Sequence, residues 1–153
     1  MALLKVSESE LIEFAKVYFK ERGFKKVAKR WTKEIDQFKL VFFIQGSCYD
    51  KDDYYIRPGI IIKVLENEFL PNTYGHFMKE IAVVSLQQIF ADTEKFFSTW
   101  TDIKFLKKRL KELTHCFELG KRRSKFFDDN ENVWIMPERG ITTRVLQEDI
   151  RLI

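Results

Sequence analysis

The spacing of apolar residues between positions 7 and 22 predicts an amphipathic helix. Ser7 followed by Glu10 is typical of a capping box at the start of a helix. Gly23 is the residue type that ends a helix in a left-handed conformation. The apolar side chains recur at helical intervals and form one broad face, made of Leu11, Ile12, Phe14, Ala15, Tyr18 and Phe19.

Three stretches that follow predict strands. A period of two in residues 24–31 favours one strand near a sheet edge, because its lysines discourage further pairing. One side of this strand would carry Lys25, Val27, Lys29 and Trp31, and the other Phe24, Lys26, Ala28 and Arg30. Residues 38–45 are apolar on both faces and predict a central strand that is covered on both sides. Residues 54–65 predict a third strand. Pro58-Gly59 interrupts it and favours an edge position or a bulge, since proline cannot donate to a ladder.

Helical spacing dominates the second half of the chain. Residues 77–84 fit either a strand or the start of a helix, and from Leu86 a helix is predicted that ends near residues 98–102. Residues 102–119 form the clearest helix, and Gly120 follows as its stop. Its apolar stripe consists of Ile103, Leu106, Leu110, Leu113 and Phe117.

The last part of the chain has weaker patterns. Residues 128–132 predict a polar turn, residues 133–136 a short strand, and residues 141–153 a final helix. Together the patterns predict a single α+β domain over residues 1–153. In this fold an N-terminal helix and later helices pack on a mostly antiparallel sheet of three to five strands.

Composition adds a large aromatic content and an uneven charge. The chain contains 15 Phe, which predicts a bulky core, an aromatic groove or both. The net charge is +4, but nine basic residues and only two acids lie in residues 104–125, which we call the basic zone. Its candidate binding residues are Lys104, Lys107, Lys108, Lys111, Lys121, Arg122, Arg123 and Lys125. Such residues contact phosphates or an acidic protein, or else form a solvated helix face.

Most common catalytic patterns are missing. The 6 glycines stand apart, whereas phosphate-binding loops need clustered glycines. The 2 cysteines and 2 histidines form no close pair of the kind that holds zinc, and no glycine-flanked serine completes a nucleophile elbow. Ile61 stands where a metal-dependent nuclease of the acid-x-Lys type needs an acid before Lys63. We therefore predict no catalytic residues, no cofactor and no metal.

Cysteine use and hydropathy indicate the compartment. Cys48 and Cys116 are too few for a disulfide framework, and residues 1–9 lack the pattern of a signal peptide. The longest apolar run, residues 40–44, is far shorter than a membrane span requires. A cytoplasmic location without membrane insertion is the expectation.

The order of helix, Gly23-Phe24-Lys25-Lys26 and an aromatic strand ending in residues 43–47 resembles a bacterial family of domains of unknown function, the one numbered 4304. The resemblance covers residues 8–65. It implies a helix followed by strands, and it implies no activity. The positions carried over from the family, without a role, are Gly23, Phe24, Gln45 and Ser47.

The leading functional hypothesis is a bacterial protein that binds a partner protein without catalysis, of which immunity and antidote proteins are one kind. The first alternative is nucleic-acid binding through the basic zone. The second is an enzyme whose site follows no pattern considered above. Both a monomer and a homodimer fit the sequence, because interface cores also favour aromatic residues.

Overall fold

The structure, a computed structural model, describes residues 6–47, 49, 53–63, 77–112, 126–128 and 133–135. The predicted stop at Gly120 and the predicted helix over residues 141–153 lie outside these ranges, as do the predicted turn residues 129–132. The described elements are helices α1 (Glu8–Glu21), α2 (Leu86–Trp100) and α3 (Ile103–Glu112), and strands β1 (Lys25–Val27), β2 (Arg30–Ile35), β3 (Phe38–Gly46), β4 (Tyr54–Ile62), β5 (Phe77–Met78), β6 (Phe126–Asp128) and β7 (Val133–Ile135).

The described strands form one sheet in the order β1-β2-β3-β4-β5-β7-β6, and each described pair is antiparallel. The helices supply side chains to the core on one face of this sheet. The α+β architecture is therefore confirmed. The sheet has seven described strands where the sequence predicts three to five, because the strand predicted over residues 24–31 is divided between β1 and β2 and because β6 is an additional strand.

Helix α1 begins and ends where the sequence predicts. The Ser7 side chain accepts a hydrogen bond from the Glu10 amide at 3.2 Å, which satisfies one of the free amides of the first turn. Arg22 is the C-cap, and Gly23 follows it with φ +82°. That angle is in the left-handed region, where a glycine carries no steric cost.

The single strand predicted over residues 24–31 is wrong. The chain turns at Ala28-Lys29, and β1 and β2 pair as a hairpin in which Val27 lies opposite Arg30. Ala28 has φ +54°, a region that alanine rarely adopts, so no residue in the sequence marks the turn. The predicted edge position is correct for β1, whose three residues are all exposed at one end of the sheet.

Strand β3 is central and buried on both faces, as predicted. On the helix side it contributes Phe38, Leu40, Phe42 and Ile44 to the two main core clusters. On the opposite side Val41 and Ile61 form a separate small cluster, and each is about 1% exposed. This burial explains why the strand reads as a nearly continuous apolar run rather than an alternating one.

The prediction for Pro58-Gly59 is corrected. Strand β4 is an interior strand, and its register with β3 continues without a bulge along its whole length. The Ile81 amide donates to the carbonyl of Ile56, and the Lys79 amide donates to that of Pro58 at 3.0 Å. The backbone polar groups of Pro58 therefore face β5, because they alternate sides along a strand. The missing donor weakens only the pairing with β5, a strand of two residues, and leaves the ladder with β3 intact.

The structure also shows which elements form in the second half of the chain, where the sequence patterns are weaker or allow alternatives. Residues 77–84 are β5 followed by a bridge between Ile56 and Ile81, after which Ser85 caps α2. Asp102 accepts a hydrogen bond from the Phe105 amide at 3.2 Å and caps α3, as the break near residues 98–102 predicts. The short strand predicted at residues 133–136 is observed as β7. It pairs with β6, which includes Asp128 from the predicted turn.

Candidate functional site

An open groove of about 950 Å³ lies along α1 and the start of α2. We call it the α1 groove. Its lining includes Glu10, Glu13, Phe14, Val17, Tyr18, Glu21 and Arg22. Aromatic and aliphatic side chains form its middle, and carboxylates line it on α1. Grooves of this character bind other proteins or ligands more often than flat polar surfaces do.

The groove exists because α1 is apolar over a wider arc than the sheet and α2 can cover. The residues of α1 that are buried are Leu11, Ala15 and Phe19. Phe14 and Val17 lie beside this stripe and stay 42% and 60% exposed. Large apolar side chains that are adjacent and exposed are the informative exception on a soluble protein, whereas single ones are ordinary.

Packed aromatic rings hold the floor of the groove in place. The ring of Phe90 on α2 lies 5.0 Å from that of Phe14 and 4.4 Å from that of Tyr18, measured between centroids. Phe14 and Tyr18 stack on each other at 6.0 Å. Tilted and stacked contacts at these distances stabilise aromatic pairs beyond the area that they bury. The floor is thus formed before any partner binds.

A polar cluster beside this floor joins α1 to α2. Tyr18 donates a hydrogen bond to the Glu94 carboxylate, and Arg22 forms an ion pair with the same carboxylate at 3.2 Å. The Arg22 guanidinium also lies 3.5 Å from the centroid of the Tyr18 ring and donates to the Tyr18 carbonyl at 3.0 Å. Burial and the hydrogen bond to Glu94 raise the pKa of Tyr18 to about 12, so the phenol stays protonated at neutral pH.

The charge of the groove is acidic. Glu10, Glu13 and Glu21 are exposed along α1. Glu13 forms an ion pair with Lys16 at 2.9 Å, but both side chains are largely exposed. Such an exposed ion pair contributes little to stability, so it is easily replaced by a pair with another charged group. Among the described residues of the lining the one cation is Arg22, which is already held by Glu94.

The described part of the basic zone is solvent-facing. Lys104, Lys107 and Lys108 are exposed on α3, while Leu106 is fully buried on the other side of the helix. Lys111 belongs to α3, and nothing further is described of its side chain. The other predicted basic residues lie outside the described residues: Lys121, Arg122, Arg123 and Lys125. The arrangement fits both a phosphate-binding face and a solvated face.

Two of the family-matching positions form the end of α1. The Gly23 amide donates to the Lys20 carbonyl, and the Phe24 amide donates to the Phe19 carbonyl at 2.9 Å. These two bonds are a Schellman motif. The Phe24 ring packs on that of Phe19 with centroids 4.6 Å apart, which is the apolar contact that accompanies the motif. Gly23 and Phe24 therefore have a structural role at the end of α1.

The other two family-matching positions also make structural contacts. The Gln45 side chain accepts a hydrogen bond from the Arg57 guanidinium at 2.6 Å, on the sheet face away from the helices. The Ser47 hydroxyl accepts from the Tyr49 amide at 3.1 Å, and the Ser47 amide donates to the Asp53 carbonyl. Ser47 thereby shapes the connection between β3 and β4. None of these contacts requires a ligand.

Sequence reasoning missed the position of one feature that the structure shows and the existence of another. The first is the α1 groove. Its signal was Val17, an apolar residue outside the predicted face. The second is the basic hairpin formed by β1 and β2. With its flanks it covers residues 22–33, which contain six basic residues and no acid. In this hairpin Lys26 lies 5.6 Å above the Trp31 ring, and Lys29 pairs with Glu8. A local charge count over twelve residues would have found it.

Within the described residues, no group of three or more His, Cys, Asp or Glu side chains is placed to hold a metal ion. Both cysteines and both histidines lie outside them. In the same part of the chain no helix is both long and apolar enough to span a bilayer.

Comparison with known proteins identifies the family of the chain. A family model with the description "Domain of unknown function (DUF4304)" matches residues 15–150, most of the chain. The chain belongs to this family. The match confirms the family that the sequence resembles and extends it from residues 8–65 to nearly the whole α+β fold of this DUF4304 protein. No curated protein and no solved structure matches it significantly.

Proposed function

We propose that this DUF4304 protein is a non-catalytic protein-binding module and that the α1 groove is its docking surface. The observation that carries the proposal is the exposure of Phe14 and Val17 in a groove where the rings of Phe14 and Tyr18 pack on Phe90. Immunity and antidote proteins are one kind of module that acts in this way, by occupying a partner without chemistry of their own.

Physical reasons favour a protein partner over a small molecule. The groove is open and runs along a helix, whereas small-molecule sites enclose most of the ligand's surface. Aromatic side chains in a preformed setting are the residues that contribute most to protein–protein binding energy. Burying Phe14 and Val17 under a partner would also remove from water the apolar surface that α1 leaves exposed.

The setting that we propose is the bacterial cytoplasm. The low number of cysteines fits a reducing compartment, where disulfides are rare.

Site-specific photocrosslinking in the native host tests the groove. A photoreactive residue replaces Val17, and the matched control carries it at Val27, which is similarly exposed at 64% but lies on β1. We expect a discrete crosslinked protein at Val17 that is absent at Val27 and disappears when Phe14→Ser is added. The same adducts at both positions, or none at Val17, would contradict the proposal.

Nucleic-acid binding through the basic zone is the second candidate. It is favoured by the exposure of Lys104, Lys107 and Lys108 on one side of α3. Lysines on one helix face neutralise phosphates and release the counterions condensed on them. Binding would therefore weaken as the salt concentration rises, because the free-energy gain from that release becomes smaller.

Binding of the purified protein to mixed DNA and RNA at low and moderate salt tests this candidate. One variant changes Lys104, Lys107 and Lys108 to Ala, and a second changes Lys121, Arg122, Arg123 and Lys125 to Ala. Salt-sensitive binding that is lost in these variants would establish the basic zone as a site. Absence of binding at low salt would leave its residues as a solvated surface.

A further inference from the structure

Two acidic and two apolar residues of the α1 groove are arranged along a line. Glu10, Phe14, Val17 and Glu21 are spaced by four, three and four positions, so they lie in one row along α1. The row has a carboxylate at each end and apolar side chains in the middle. At 1.5 Å per residue, the two terminal carboxylates are separated by about 16 Å along the helix axis.

The terminal carboxylates are available to a partner. Glu10 and Glu21 are exposed, and within the described part of the chain neither forms an ion pair. The neighbouring cation, Arg22, is bound to Glu94 and stacked on Tyr18, so it does not neutralise Glu21. A cationic partner would therefore meet two unpaired carboxylates on either side of an apolar centre.

We infer that the α1 groove binds an amphipathic helix that carries Lys or Arg at both ends of an apolar stripe. Charge complementarity with Glu10 and Glu21 requires positive charges on the partner helix. The separation of the two carboxylates sets the spacing of those charges at about three helical turns. Phe14 and Val17 receive the apolar stripe in the manner of a helix-in-groove complex. This inference rests on the proposed function and specifies the chemistry of the partner.

Two matched synthetic peptides test the inference. Both have leucines at helical spacing in the centre. One has lysines about three turns apart at the flanks, and the other has glutamates at the same positions. Affinity for the full-length protein is measured by fluorescence anisotropy at about 150 mM salt, where only short-range charge contacts persist. We expect the lysine peptide to bind about tenfold more tightly than the glutamate peptide.

Variants of the protein test whether the peptides bind at the row formed by Glu10, Phe14, Val17 and Glu21. Glu10→Gln with Glu21→Gln should bring the two peptides to equal affinity. Phe14→Ser with Val17→Ser should abolish binding of both. The control is Glu34→Gln with Asp36→Asn, which removes two exposed carboxylates at the β2–β3 turn and should leave the preference for lysine unchanged. Circular dichroism verifies that each variant is folded.

The outcomes separate this inference from the proposed function. Equal affinity for both peptides that is lost with Phe14→Ser and Val17→Ser would overturn the charge preference and keep the groove as a docking surface. A lysine preference that survives the Glu10 and Glu21 substitutions, or absence of binding by either peptide, would overturn the inference. In those cases the photocrosslinking at Val17 decides the proposed function independently.

Discussion

A single backbone angle determines where α1 ends. Gly23 has φ +82°, and both bonds of the Schellman motif depend on that conformation. A Cβ at Gly23 would meet the Lys33 side chain at 3.8 Å, which is an ordinary contact. The restriction to glycine at this position therefore arises from the backbone and not from lack of space.

Replacement of Gly23 by alanine is expected to destabilise the protein by about 1 kcal/mol, because a Cβ strains the left-handed conformation. Urea unfolding measures the change in the free energy of unfolding. Gly46→Ala is the matched control, since Gly46 is exposed, does not have a positive φ and has open space around its Cα. Equal effects of the two substitutions would show that the angle at Gly23 is not limiting.

Tyr18 links stability to alkaline pH. Its pKa is raised to about 12, first by burial and then by Glu94, from the ordinary value of 10.0. The folded state therefore holds the phenolic proton more tightly than the unfolded chain does. This contribution to stability is fully present below pH 10 and is lost as the pH rises toward 12.

We expect the free energy of unfolding to fall between pH 10 and 12, and to fall less steeply in Tyr18→Phe. Some slope should persist in the variant, because burial also raises the pKa of Tyr54, whose hydroxyl donates to the Val6 carbonyl. Denaturant titrations at a series of alkaline pH values measure both slopes. Identical slopes for the two proteins would show that Tyr18 does not titrate in this range.

At the scale of elements, short polar residues define where the helices begin. Each of the three described helices starts after a side chain that accepts from a backbone amide two or three residues into the helix, namely Ser7, Ser85 and Asp102. These bonds satisfy amides that have no partner inside the helix. The cap at Asp102 begins α3 directly after α2 ends, so the two helices are separate and not one continuous helix.

Loss of the α2 cap by Ser85→Ala should reduce stability by about 1 kcal/mol. Ser98→Ala in the same helix is the control. Ser98 is exposed near the end of α2 and bonds only to the Lys95 carbonyl, so alanine should be neutral or slightly stabilising there. Thermal unfolding distinguishes the two substitutions. A loss at Ser98 as large as that at Ser85 would argue against the capping role.

At the scale of the whole molecule, one aromatic cluster joins elements from distant parts of the chain. The ring of Phe42 on β3 lies 4.8 Å from that of Phe19 on α1, 5.9 Å from that of Trp31 on β2 and 5.7 Å from that of Phe90 on α2, between centroids. Phe42 is fully buried. The many phenylalanines thus form both a bulky core and the floor of the groove.

Truncation of Phe42 to alanine should cost about 3–5 kcal/mol, through lost burial and the cavity that is left. Phe14→Ala should cost far less, because Phe14 is 42% exposed. Denaturant unfolding of both variants provides the comparison. A small loss at Phe42 would mean that the cluster repacks and does not organise the core.

The sequence by itself determined the features that depend on local chemistry. The capped ends of α1, the break between α2 and α3 and the doubly buried strand β3 all follow from residues close together in the chain. Caps need one side chain a few residues from the amide that it serves, and an apolar run of strand length is buried on both faces wherever it pairs. The family followed from the same region, residues 8–65.

Only the tertiary structure decided the features that depend on neighbours distant in sequence. The turn at Ala28 is imposed by the pairing of β1 with β2, since alanine gives no signal for a positive φ. Pro58 occupies an interior strand because its missing donor faces a short neighbour. Phe14 and Val17 stay exposed because the packed faces of the sheet and α2 end before they reach them. Periodicity predicts which residues share a face of a helix, and only packing determines how much of that face is covered.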